Sequence, residues 1–139
     1  MQANRYIPLV ARICLAVIFV QTGLAKVFNF DGTQQQIASA GLPLAGLVTL
    51  FTIIFEIGGG TSLILGYKAR VGAILLLIFL IPATIVFHNP ILDSTQTIQF
   101  MKNLAIIGGL LMVVGNGPGP ISLDPPRVAG LAPYLEEDA

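Results

Sequence analysis

The sequence predicts an all-α membrane protein, a four-helix transmembrane bundle with both termini cytoplasmic. Three observations predict it. Hydrophobic residues make up 55% of the chain and charged residues only 10%. Four apolar runs are each long enough to cross a bilayer core, which takes about 20 residues of helix. The basic residues between and beyond those runs gather in segments that fall on one side. A mean hydropathy of +0.85 sets the chain outside the balance of a soluble domain. Its 139 residues divide into a transmembrane domain, 1–118, and a Gly/Pro-rich then acidic C-terminal tail, 119–139.

The first span covers about residues 7–28. Arg5 precedes it, as in a signal peptide, but Arg12 interrupts its apolar core and no Ala-x-Ala site follows, which argues against cleavage. The stretch "NFDGTQQQIASAGLP", 29–43, is polar and closed by Gly41 and Pro43, so it is expected as a long loop. The second span, 43–65, ends at Gly66, a glycine C-cap opening the tight connection "GYKAR". A third span, 71–87, runs into the connection "HNPILDSTQT", and a fourth covers 98–115. Beyond it, "GNGPGP" follows a helix, contains prolines that remove donors and lacks the Lys-Ser/Thr ending of a phosphate loop. It is expected to turn, with the rest of the tail mostly extended or disordered.

Orientation follows from the basic residues. Arg5, Lys68, Arg70 and Arg127 lie on the side that holds both termini, whereas loops 29–42 and 89–97 contain Asp31 and Asp93 without Lys or Arg. An even number of crossings with both termini inside satisfies this distribution.

One carboxylate, Glu56, stands in the middle of the second apolar run. An ionised side chain at that depth costs at least about 2.5–3.5 kcal/mol on insertion scales, so it should face the bundle and have a partner. Arg12 in the first span is the expected partner and Gln21 a neutral alternative. At 100° per residue, Arg12, Ala16, Phe19, Gly23 and Lys26 share one stripe of the first helix, and Thr49, Thr52, Glu56 and Gly60 share one of the second. Small residues let membrane helices approach closely, so these stripes are expected to face inward. The site reading of Glu56 as a titrating group stands beside a structural one, in which its pairing with Arg12 fixes helix register.

A second polar group comprises Lys26, His88, Lys102 and Asn103, with Gln99 one turn before Lys102. Two readings stand. The lysines snorkel to the interface while His88 caps a helix end, or they line a shallow pocket for an anion, a carbonyl or a quinone head group that continues down to Glu56.

Several classes are set aside. A net charge of zero provides no basic stripe for nucleic acid. The single cysteine, Cys14, forms no disulfide framework or metal cluster and reads as a small apolar helix residue. One histidine is too few for the usual transition-metal sites, and no dinucleotide or haem motif occurs, so no metal is assigned and an independent enzyme is not expected.

The order and spacing of "FVQTGLAKVFNF", "AGLP", "FEIGGGTSLILGYKAR", "ATIVFHNP", "FMKNLAIIGGLLM" and "SLD" resemble the DoxX family of small four-helix bacterial membrane proteins, over about residues 12–124. Recurrent family positions fall on Arg12, Gly23, Lys26, Glu56, Gly59, Gly66, His88, Lys102 and Asn103. The resemblance implies a bacterial plasma (inner) membrane protein. It further implies an accessory or membrane-anchor subunit of a thiol- or quinone-linked redox complex, with a soluble or membrane partner. With Cys14 alone, thiol chemistry would need cysteines from elsewhere. The alternatives are a proton or small-solute carrier using Glu56, and a non-catalytic assembly or chaperone protein. No motif names a cofactor; a quinone suits the outer polar group. The partner of the spans is the lipid bilayer, and their small-residue faces also permit a homo-oligomer.

Overall fold

The computed structural model describes residues 3–125; Arg127 and the remainder of the acidic tail lie outside the described residues. Five helices follow one another: α1 (Ala3–Phe28), α2 (Phe30–Ser39), α3 (Ala45–Leu65), α4 (Ala69–Phe87) and α5 (Thr97–Asn116), with a 3₁₀ turn at Ser94–Gln96 leading into α5. Four of them, α1, α3, α4 and α5, are long and apolar enough to cross a membrane. At 1.5 Å per residue they run about 28–39 Å, against a hydrocarbon core of about 30 Å. The protein is an all-α transmembrane four-helix bundle.

The segment expected as a long loop instead forms α2, packed on α3. Its composition is polar, with mean hydropathy too low to register as a buried helix. The run of three glutamines nevertheless favours helix, and one buried side chain, Ile37, fixes it to the bundle. Breaks come at Asn29, which separates α2 from α1, and over residues 40–44 before α3, where Gly41 has φ +82° and Leu44 φ +54°.

Around the bundle the order is α1, α3, α4, α5, and α5 meets α1 over only a short stretch. The inward stripes are those the helical periodicity selects: Arg12, Ala16, Phe19 and Gly23 on α1, and Thr49, Thr52, Glu56 and Gly60 on α3, are all buried. Leu76, Leu80, Leu110 and Val113 complete the core from α4 and α5. Outward positions such as Val17, Ile54, Ile78 and Leu111 stay exposed, because lipid is as apolar as they are and exposure there costs nothing.

Glycines set the helix separations. A Cβ on Gly23 would come within 2.7 Å of Ile57 Cγ1 and 3.2 Å of Glu56 Cβ, so α1 crosses α3 at the level of the carboxylate. Gly59 and Gly72 bring α3 and α4 together. Each would set a Cβ against the other's carbonyl oxygen, at 3.1 and 3.2 Å.

The end of the bundle where α1 begins, the basal end, is closed by charged groups on helix termini. Gly66, with φ +65°, ends α3 in a Schellman turn, in which Tyr67 N donates to Ser62 O and Gly66 N to Leu63 O. Segment 121–124 lies across this turn, with Leu123 N donating to Leu65 O and Asp124 N to Gly66 O. The Asp124 carboxylate accepts from Lys68 N (2.6 Å) and Ala69 N (2.9 Å), capping the α4 N-terminus with a negative charge from a distant segment. Arg70 donates to Val114 O at 3.0 Å, a cation on the C-terminus of α5.

Candidate functional site

Arg12 belongs to this basal closure and not to Glu56. Its Nη1 donates to Leu63 O (2.7 Å) and Ile64 O (3.3 Å), the last carbonyls of α3, and its Nη2 donates to Ile121 O. The pairing of Arg12 with Glu56 expected from sequence is therefore corrected. Helices α1 and α3 run antiparallel, with Gly23 level with Glu56 and Arg12 level with Leu63. Arg12 thus lies about eleven residues, or some 16 Å, below the carboxylate along the helix, beyond the reach of a side chain. Gln21 is corrected as well: it is exposed, because two residues from both Phe19 and Gly23 it falls on nearly the opposite face of α1.

The partner of Glu56 is Lys26. Its ammonium donates to Oε2 at 2.7 Å and to Oε1 at 2.8 Å, and the Lys26 and Glu56 side chains are 24% and 3% exposed. Lys26 follows Gly23 by three residues, so it stands one turn above the crossing and reaches down. Thr22, one turn before Lys26 on the same face, brings its hydroxyl to 3.0 Å from Oε1 and 2.8 Å from Ile18 O. The Lys26 ammonium also sits 5.5 Å from the centre of the Phe79 ring, a further favourable site for a cation. Sequence reasoning overlooked Thr22 and Phe79; the Thr22/Lys26 spacing of four residues was the available signal for the first.

Above this pair, α1, α4 and α5 enclose a pocket of about 170 Å³. Lys26, Glu56, His88, Gln99, Lys102 and Asn103 line it together with apolar walls that include Phe19, Phe79 and Ile106. The structure thus brings the outer polar residues into one pocket and connects them to Glu56. Asn103 is buried and donates from Nδ2 to Thr84 Oγ1 at 3.0 Å, while Thr84 passes its own hydrogen to Leu80 O at 2.7 Å. His88 forms the C-cap of α4, and its Nδ1 lies 2.7 Å from Oε1 of Gln96. Lys102 is exposed at the mouth, with no carboxylate among the described residues within salt-bridge distance. Cys14 is exposed on the outside of α1, away from these groups.

Chemically the pocket combines a neutralised ion pair at its base, a free cation at its mouth, hydrogen-bonding groups on one side and aromatic and aliphatic walls. Fold and site together define an integral membrane four-helix protein with a polar pocket toward the end opposite the basal closure. The chain belongs to the DoxX family, whose model matches residues 7–89. It is similar to inner membrane protein YqjF of Escherichia coli (strain K12), 34% identical over 116 residues that cover 84% of this chain and 88% of that protein. It is equally similar to inner membrane protein YphA of the same organism, 34% identical over 128 residues, 88% of this chain and 91% of that protein. A more partial likeness, 37% identity over 89 residues, 55% of this chain and 32% of the other, links it to the Surfeit locus protein 4 homolog of Drosophila melanogaster. No solved structure is significantly similar to it.

Proposed function

We propose that this protein is the membrane subunit of a redox complex in the bacterial cytoplasmic membrane, with both termini inside, and that its pocket holds the head group of a quinone. The observation that carries this reading is the convergence of Lys26, Glu56, His88, Lys102 and Asn103 on one small pocket walled by apolar residues. A quinone head has apolar faces and polar oxygens at its edge, and the pocket supplies both kinds of contact. Its volume of about 170 Å³ is below the roughly 300–1,000 Å³ of ordinary ligand sites. It therefore suits a head group and not a whole ligand. The sparse α1–α5 seam leaves an apolar tail a way out toward lipid. Lys102, free of a carboxylate among the described residues, is the donor available to a ring oxygen.

The chain carries the berth, and the redox centre belongs to a partner protein. A carrier that titrates Glu56 is less well supported, because each proton uptake would break the two-oxygen hold of Lys26 inside the membrane. The orientation rests on Arg5, Lys68 and Arg70 at the basal end, following the positive-inside rule.

Purification in mild detergent, with extraction of bound quinone and identification of co-purifying proteins, tests the reading. Retained quinone, a repeatable redox partner and about tenfold weaker binding of a short-chain benzoquinone after Lys102→Met would support it. A solitary protein that binds no quinone and drives proton-coupled uptake in vesicles would replace it with the carrier.

A further inference from the structure

We propose that the groove between the basal ends of α3 and α4 binds an anionic phospholipid, whose phosphate meets Lys68 and whose acyl chain lies along Gly58. This site shares no lining residue with the polar pocket at the far end and does not depend on what that pocket holds.

The groove has a volume of about 450 Å³, within the roughly 300–1,000 Å³ of ordinary ligand sites. Gly58, Thr61 and Leu65 of α3, Val71 of α4 and the connecting Tyr67 and Lys68 line it. All six are exposed, so the groove opens outward to the lipid. It exists because Gly59 and Gly72 hold the two helices close, while the adjacent Gly58 has no side chain to fill the surface beside them. A Cβ on Gly58 would meet no heavy atom within 4 Å. An apolar chain laid there regains the dispersion contacts that an unfilled groove forfeits.

The polar groups at its basal end specify what such a chain carries. The Lys68 ammonium lies 5.7 Å from the centre of the Tyr67 ring and pairs with no carboxylate among the described residues. Its neighbour Asp124 spends its two oxygens on Lys68 N and Ala69 N. Thr61 is the second group. Thr22, Thr49 and Thr84 each donate to the carbonyl four residues earlier, but the Thr61 hydroxyl makes no such bond among the described residues. It stands four residues before the end of α3, about 6 Å deeper than that terminus. A phospholipid presents the matching order of acceptors: the phosphate outermost, the ester carbonyls beneath it, then the acyl chain.

Charge selects the anionic class. Among the described residues the basal end carries Arg5, Arg12, Lys68 and Arg70 against Asp124. Basic groups at a membrane surface attract anionic lipid, whereas the head-group cation of a zwitterionic lipid faces the same positive excess. Charge also argues against a second copy as the occupant. Two copies inserted in the same direction are related by an axis along the membrane normal, so pairing through this groove would set their Lys68 ammonium groups against each other at one depth.

Native mass spectrometry of the full chain in mild detergent, titrated with dioleoyl phosphatidylglycerol and with dioleoyl phosphatidylcholine, tests the site. The first equivalent of the glycerol lipid should bind about fivefold more tightly than the choline lipid, and Lys68→Gln should abolish that preference. Gly58→Leu should weaken the first equivalent of both lipids about tenfold by filling the groove. Gly108→Leu, at an exposed position of α5 whose Cβ likewise meets no heavy atom within 4 Å, should leave both unchanged. Equal wild-type affinities, or a preference that survives Lys68→Gln, would overturn the proposal. So would lipid binding that Gly58→Leu leaves intact, a dimer that Gly58→Leu dissolves, or displacement of the lipid by an equal concentration of glycerol 3-phosphate. Helical circular dichroism checks that each variant folds. Lys68→Gln keeps the backbone bonds of the α4 cap, so it decides the proposal even where Gly58→Leu does not fold.

Discussion

The Lys26 ammonium lies 2.7 and 2.8 Å from the two carboxylate oxygens of Glu56, one turn above the close approach of α1 and α3 at Gly23. Both charges are thereby satisfied within one antiparallel helix pair. Removing Lys26 leaves an unpaired carboxylate, so Lys26→Met should destabilise the bundle by about 3–5 kcal/mol. Glu56→Gln should cost less, because Lys26 is partly exposed and can extend to the surface. The double variant should be more stable than Lys26→Met alone. Arg12→Met and Glu56→Gln, in contrast, should add to within about 0.5 kcal/mol, as residues without a shared partner do. Denaturant unfolding in detergent micelles, followed by helical circular dichroism, measures both cycles.

The basal strap should respond to its two anchors. Asp124→Ala removes the cap on α4 and should cost about 1 kcal/mol. Arg12→Met should cost more, about 2–4 kcal/mol, since it leaves carbonyls of Leu63, Ile64 and Ile121 without their charged donor. In both variants amide exchange at Leu123 should accelerate, while the quinone binding proposed for the far end should hold.

Neighbouring glycines should behave oppositely. A side chain on Gly59 meets Leu76 and the Gly72 carbonyl, whereas a Cβ on Gly58 has no heavy atom within 4 Å. Gly59→Val should therefore cost several kcal/mol by forcing α3 from α4, and Gly58→Val should be nearly neutral. Folded yield and thermal midpoint of the two variants, compared in one detergent, decide this.

Acid should loosen the entry to α5. Hydrogen bonds from Thr95 lower the Asp93 pKa from its ordinary value near 3.8. A depressed folded pKa means that the contribution of the ionised form is complete above the unfolded value and is lost as pH falls through the lower, folded one. Exchange of the Thr95 amide, corrected for intrinsic rate, should accelerate only below about pH 4. In Asp93→Asn that acid-specific step should vanish.

The spans, their inward faces and the glycine that ends α3 were legible because each depends on local pattern: run length, a 100° period, or the one residue suited to φ +65° at position 66. The partner of Glu56 was not, because the choice between Arg12 and Lys26 depends on how far α1 slides along α3, and neither helix encodes that offset alone. Helix α2 was missed for a different reason. Its single buried anchor, Ile37, is too little for any periodicity to declare. The outer polar residues were identifiable by type and position at span ends, but their meeting in one pocket required the bundle to be closed. Gln96 carried no signal, since it approaches His88 only through the turn at 93–96.

The basal strap also bears on how the protein is made. Arg12 precedes one of its three acceptors, the Ile121 carbonyl, by 109 residues, so it is made well before that acceptor. Until synthesis reaches that point, the first span enters the bilayer with a guanidinium only partly engaged, a state held by the carbonyls of α3 alone. Segment 121–124 therefore completes the binding of Arg12 only after all four spans have been made. A chain interrupted after α5 would contain every span and the lining of the pocket, but would leave Arg12 held by the carbonyls of α3 alone.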